Sequence, residues 1–212
     1  MGLEPLVAPL LTVEPIVAEI DMSGVGALAF TSANGVRAFA ERRDCLEACR
    51  DFVVFVVGAA TAEAARAAGF PEVRSADGDV EALAAIIARE RPGGLVLCPG
   101  AEQRAGDLVG ELSRAGVEVR AVAVYRTVPT PGPKHRELEE VAAILIHSPR
   151  AASVLATLGL DLSGMTVVGL SSACLKPLAR TPVRRWVVAE RPTEDALLEA
   201  LSLALGISPA QR

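Results

Sequence analysis

The chain has 212 residues, of which 51% are hydrophobic and 22% charged, and its formal net charge is −5. That length allows one or two domains with a sizeable core. The acidic balance argues against general nucleic-acid binding, which calls for a basic face. Four cysteines, Cys45, Cys49, Cys98 and Cys174, form no CxxC pair. They read as reduced thiols of a cytoplasmic protein, not as a metal site or a disulfide framework.

The opening Met1-Gly-Leu-Glu-Pro lacks the basic start of a signal peptide. No apolar run approaches the ~20 residues that span a bilayer, so no membrane partner is expected. The longest, Phe52 to Ala62, reads as a buried strand interrupted by Gly58. Leu6–Pro15 is an extended segment flanked by prolines. Gly24-Val-Gly-Ala-Leu-Ala29 fits G-x-G-x-x-A, but it precedes the strand 27–30, where a dinucleotide fingerprint must follow one.

Next comes a pattern that recurs five times: an apolar strand, a Gly/Ser/Thr-rich turn, and a helix start. It appears at Leu28–Gly35, Val56–Thr61, Leu95–Gly100, Ile144–Pro149 and Val167–Ser172. Helices are expected over 35–43, 60–68, 80–89, 104–115, 151–158, 173–179 and 194–205, several of them ending at Gly69, Gly116 or Gly159. Continuous Val/Ile/Leu strands alternating with helices predict parallel sheets covered on both faces. In that topology the turns gather at the carboxyl ends of the strands, where α/β proteins bind ligands. Each turn offers free N–H groups and a helix N-terminus to a carboxylate or phosphate, so the set suggests a ligand with many negative charges. The bland account of Ser32, Thr61, Ser148, Ser171 and Ser172 is plain helix capping, worth about 1 kcal/mol each.

The chain also repeats itself. Ala29–Ala40 matches Leu145–Ala156, Val56–Ala62 matches Val167–Ala173, and Val80–Leu83 matches Glu194–Leu197, at offsets of 116, 111 and 114. A second extended segment, Val122–Pro131, mirrors the first. Together these predict two related parallel-sheet α/β domains of Rossmann/flavodoxin-like type. One spans 14–123 and the other 1–13 plus 124–212. A two-stranded β connector joins them, and the active site lies in the interdomain cleft.

Strong catalytic groups are scarce. His147 and Ser148 are neighbours on a strand and point to opposite faces, and His135 lies in a Pro-rich loop, so Ser/His/Asp chemistry does not fit. Glu102 reads as a solvated acid at a helix start. Trp186, beginning the strand 186–189, reads as core. Tyr125, the only tyrosine, lies beside Arg126 in the second extended segment, either as a half-buried strand aromatic or as a phenol facing the cleft.

Thr31-Ser32-Ala33-Asn34-Gly35-Val36-Arg37-Ala38-Phe39 resembles the first signature of the uroporphyrinogen-III synthase family. Gly58-Ala-Ala-Thr61, Pro99-Gly100, Val124-Tyr125-Arg126-Thr127, Ser148-Pro149 and Pro192–Leu197 follow in the family's order, so that the resemblance covers about residues 5–202. It implies a lyase that cyclises hydroxymethylbilane, a linear tetrapyrrole, to uroporphyrinogen III, with loss of water and inversion of ring D. It implies no cofactor, no metal, a monomer, and hand-over of substrate from the preceding pathway enzyme. By similarity Tyr125 assists departure of the hydroxyl. Thr31, Ser32, Asn34, Thr61, Ser148 and Ser172, with the backbone of Gly58, Gly100 and Gly169, contact the substrate's acetates and propionates. The family usually opens with a further strand and helix, and this chain begins where that helix would end. The second domain is therefore expected to lack that unit. The alternative function is a non-catalytic two-domain sensor of a tetrapyrrole or another polycarboxylate. A third reading is a flavodoxin-shaped oxidoreductase or phosphotransfer domain.

Overall fold

The computed structural model describes residues 3–17, 19–131, 138 and 140–207. They fall into two compact units, residues 13–127 and residues 1–12 with 128–212.

In chain order, the first stretch holds β1 (Leu11–Pro15), β2 (Val25–Phe30), α1 (Ala33–Ala40), α2 (Arg43–Ala48), β3 (Val53–Val56), α3 (Ala59–Ala67), β4 (Val73–Ser75), α4 (Val80–Glu90), β5 (Leu95–Ala101), α5 (Leu108–Arg114) and β6 (Val119–Pro129). The strands form one sheet in the order β1-β6-β5-β2-β3-β4. From β6 to β4 every pair is parallel. Alternate residues of β2 go to opposite faces, as a strand requires. Leu28 and Phe30 pack with Val36, Phe39, Ala62 and Ala65 of α1 and α3. Ala27 and Ala29 pack with Leu83, Ile87, Leu108 and Leu112 of α4 and α5. Helices on both faces explain why the strands read as unbroken apolar runs.

β1 and β6 are hydrogen-bonded neighbours. Leu10 O accepts from Thr130 N at 3.0 Å and Val124 O from Ile16 N at 2.9 Å, so the two run in opposite directions. The Thr12 and Thr130 hydroxyls meet at 3.0 Å, and Arg126 pairs with Glu14 at 3.0 Å.

The later stretch holds β7 (Ala143–Ile146), α6 (Pro149–Thr157), β8 (Thr166–Gly169), α7 (Ser172–Leu175) with a 3₁₀ turn at Lys176–Leu178, β9 (Arg185–Val188) and α8 (Glu194–Leu205). Its sheet has the order β7-β8-β9, all parallel. Val167 packs with Leu155 and Leu178 on one face, and Val168 with Leu197 and Leu201 on the other. The expected repeat is therefore visible as β2-α1-β3 against β7-α6-β8. Among the described residues, however, β2 is paired on both sides and β7 on one.

Several expectations need correction. Phe52–Ala62 is not one strand: β3 ends at Val56, and Gly58 caps α3. The strand at Pro99-Gly100 does not turn into a helix. It continues to Ala101, held by β6, and α5 begins only at Leu108, where Asp107 supplies the cap. Glu102 is thus a loop residue. The short helix α2 was not expected. Trp186 is not core: it sits opposite Val167 on the edge strand and stays 40% exposed, because α8 covers the other face of β9 through Val187. His135 lies outside the described residues. The G-x-G-x-x-A run is structural. Gly24 takes φ +72° in the turn before β2, and a Cβ on Gly26 would stand 1.6 Å from Gly93 O. Only glycine lets those backbones approach so closely.

Candidate functional site

β6 carries the residue around which the site is built. Val122 and Val124 pack with the α1/α3 face of the sheet, whereas Val119 and Ala121 pack with the opposite face. Strict alternation would send Tyr125 to the side of Ala121. It does not go there, because the β5–β6 register slips between Gly100 and Ala101: Gly100 faces Ala123, but Ala101 faces Tyr125. One extra residue on β6 makes a bulge, and a bulge re-aims the side chain that follows it. Tyr125 therefore joins Val124 among the residues packed under α1. Its backbone O accepts from Glu102 N at 2.9 Å, which fixes the chain just beyond the bulge.

There the phenol oxygen lies 3.0 Å from the Ser32 hydroxyl. Ser32 is the N-cap of α1, with extended backbone, and its Oγ accepts from Gly35 N at 3.1 Å. A Cβ on Gly35 would stand 3.1 Å from Pro99 O, so α1 starts close against β5. Tyr125 keeps 7% exposure, a ring anchored in the core with a small part of its surface accessible.

The other expected residues distribute as follows. Thr31 is half-buried in the turn before the Ser32 cap. Asn34 is exposed on α1, and its Oδ1 accepts from Arg37 at 3.2 Å. Gly58 caps α3, and its carbonyl accepts from Thr61 N and Ala62 N. The Thr61 side chain is buried within α3. Gly100 is a buried strand residue. In the later stretch Ser148 caps α6 and accepts from Ala151 N at 3.1 Å. Gly169 ends β8, where a Cβ would stand 2.6 Å from Leu175 Cγ and push that side chain aside. The N-cap of α7 is Ser171, with Ser172 exposed as the first helical residue. The structure thus joins Ser32 with Tyr125 directly, and sets Ser32, Gly58, Ser148 and Ser171 as helix caps just beyond strand ends.

Two features were missed in the sequence. Arg104, in the loop after β5, is exposed, has no carboxylate partner among the described residues, and its Nε is 3.9 Å from a Cβ built on Gly100. His147 Nε2 lies 2.9 Å from Glu194 Oε2, joining the starts of α6 and α8. Neither pattern is visible without the fold, since 47 residues separate the second pair.

Three of the four thiols are poor candidates for a nucleophile. Burial pushes Cys49 and Cys98 up to about 12, and it also raises Cys45. A neutral thiol is a poor nucleophile. No group of metal-ligating side chains and no helix long and apolar enough to cross a membrane occurs among the described residues.

The family model described as uroporphyrinogen-III synthase HemD (HEM4) matches residues 1–199. No curated protein sequence matches. Among solved structures, the uroporphyrinogen-III synthetase of Helicobacter pylori is similar in fold, with a TM-score of 0.72 at 19% identity over 92% of this chain and 91% of that one. A mutant uroporphyrinogen III synthase from the extremely thermophilic bacterium Thermus thermophilus gives a TM-score of 0.53 at 18% identity, over 97% of this chain and 90% of that one.

Proposed function

The chain belongs to the uroporphyrinogen-III synthase family, and from that premise we propose that Tyr125 is the acid that releases the substrate's hydroxyl. The family's reaction, in tetrapyrrole and heme biosynthesis, cyclises hydroxymethylbilane to uroporphyrinogen III. Water leaves the hydroxymethyl group, a pyrrole nitrogen lone pair stabilises the cation left behind, and ring closure proceeds through a spiro intermediate that inverts ring D. The bilane closes spontaneously to isomer I, so the enzyme's main task is to hold the chain for the other closure. A phenol delivering one proton, and dipoles facing the developing charge, suffice for that.

The observation that carries the reading is the Tyr125–Ser32 contact at 3.0 Å, at the end of β2 and beside helix caps. The substrate's carboxylates are proposed to bind at Thr31, Asn34, Gly58, Gly100, Arg104, Ser148 and Ser172. Thr61 and Gly169, being buried, shape the turns from within. With free N–H groups and Arg104 as local positive charge, an acidic protein can still hold a polyanion. The same reading makes the protein a cofactor-free hydro-lyase of two domains with β1 and β6 as connector strands. It acts as a cytoplasmic monomer supplied by the preceding enzyme.

The test is product analysis with freshly made hydroxymethylbilane, resolving isomers III and I after oxidation. Isomer III above the spontaneous background supports the synthase. Isomer I alone overturns it, and tight binding of the bilane without turnover then favours the sensor.

A further inference from the structure

Resting on the reading of Tyr125 as the acid, we infer that Ser32 is its positioning residue: the serine hydroxyl donates to the phenol oxygen, leaving the phenol's own proton for the substrate. Hydrogen-bond accounting leads there. A serine hydroxyl has one proton and two lone pairs. Gly35 N–H, at 3.1 Å, fills one lone pair. The Tyr125 oxygen, at 3.0 Å, then either receives the serine proton or gives its own to the second lone pair. In the second arrangement the phenol proton is spent on Ser32 and is unavailable to a leaving group. In the first, a chain runs from Gly35 N–H through Ser32 O–H to the phenol oxygen, and the phenol proton is free.

The first arrangement also serves the charge that forms. The hydroxymethyl C–O bond breaks with its electron pair on oxygen. The phenol proton joins that oxygen and water departs. The pyrrole nitrogen's lone pair relieves the carbon left behind. The substituted α-carbon of ring D attacks to form the spiro C–C bond, the older bond from that carbon to its bridging methylene breaks, the methylene bonds instead to ring D's free α-carbon, and the proton lost from that carbon returns to the phenolate. While it exists, the phenolate is an acceptor only, and the Ser32 proton is aimed at it, polarised by the N–H at the start of α1. Ser32 thereby moves from the expected set of substrate contacts to a role behind the reacting group. The β6 bulge is what makes this pairing possible, since without it Tyr125 would face away from α1.

The experiment uses Ser32→Gly, which keeps an acceptable helix cap without the hydroxyl, and Ser32→Thr, which restores the hydroxyl. Both are made with and without Tyr125→Phe. Because the chain has one tyrosine, the Raman doublet of the phenol reports Tyr125 alone. In Ser32→Gly the doublet ratio moves toward that of a phenol that accepts no hydrogen bond, and Ser32→Thr brings it back. Turnover in Ser32→Gly falls roughly ten- to a hundredfold, the worth of a hydrogen bond to a charged group, while KM stays within about twofold. In the Tyr125→Phe background Ser32→Gly has no further effect. A raised KM at unchanged kcat, an additive loss in the Phe background, or an unmoved doublet overturns the inference. Wild-type turnover in Tyr125→Phe alone sinks the acid reading itself, and the inference with it.

Discussion

Tyr125→Phe separates chemistry from folding more cleanly than any other change in this chain. The substitution deletes one oxygen and leaves the ring packed with Phe30, Phe39 and Val124 in the same cluster. Ser32 keeps its bond from Gly35 N, so its oxygen is not stranded. The folding loss is then that of one neutral hydrogen bond, about 1 kcal/mol. Turnover loses a general acid, about 10²- to 10⁴-fold, which is roughly 3–5 kcal/mol on the barrier. The two effects thus differ by a factor of about three or more in free energy, and urea denaturation measures one while initial rates with hydroxymethylbilane measure the other. Slower enzymatic closure also leaves more bilane to spontaneous cyclisation, so the product shifts toward isomer I. Turnover near wild type would refute the assignment. So would a loss of stability as large as the loss in activation free energy, because the phenol would then be a structural group.

Other outcomes follow from particular contacts. Gly26→Ala drives a Cβ to 1.6 Å from Gly93 O, so the turn leading into β5 must move off β2; unfolding free energy drops by about 3 kcal/mol in urea titration. Arg104→Ala raises KM for the bilane roughly threefold at constant kcat, the scale of an exposed ion pair, and an unchanged KM would remove Arg104 from the binding set. Cys49 and Cys98, with thiols pushed up to about 12 by burial, resist iodoacetamide at a pH of about 8 in the folded protein and react once urea unfolds it; mass spectrometry counts the adducts. The Asp21 carboxylate is held below its ordinary range by the Ser23 hydroxyl and N–H, and by Arg120. The unfolded chain therefore takes up that proton more readily. The stabilisation is complete above the unfolded pKa of about 3.9 and is lost as pH falls through the lower folded value. Asp21→Asn should flatten that part of the acid limb in a pH series of thermal melts.

Much of the fold was legible because β2, β3, β5 and β7 are apolar throughout and β8 is apolar after Thr166, and that is what burial on both faces demands. α8 was bounded correctly over Glu194–Leu205, since Thr193 caps it and Gly206 ends it in the left-handed region. One error lies where tertiary pairing overrides a local signal. Pro99-Gly100 has turn chemistry, yet its pairing with Val122 and Ala123 of β6 keeps it in the strand. The repeat at offset 111 aligned Gly58 with Gly169, but one is a helix cap beyond its strand and the other a strand residue pressed against Leu175. The true counterpart of Gly58 is Ser171, which caps α7. Tyr125 was legible as a candidate because it is unique. Its partner was not, since the bulge that turns it toward Ser32 is a property of the β5–β6 register and has no signature in either strand.

The repeat also shows how the two stretches differ in what they offer. Ser32 and Ser148 occupy the same place, each capping the helix after the first strand of its repeat and each accepting from the N–H three residues on. Each cap thereby satisfies one N–H at the start of its helix. What the repeat does not copy, among the described residues, is the strand pair β5–β6. Only β2 has β5 on its far side, and only β5 carries a bulged neighbour able to present a phenol to the cap. At the Ser148 position the adjacent residue is instead His147, tied to Glu194. A serine cap is thus present in both stretches and the serine–phenol pair in one.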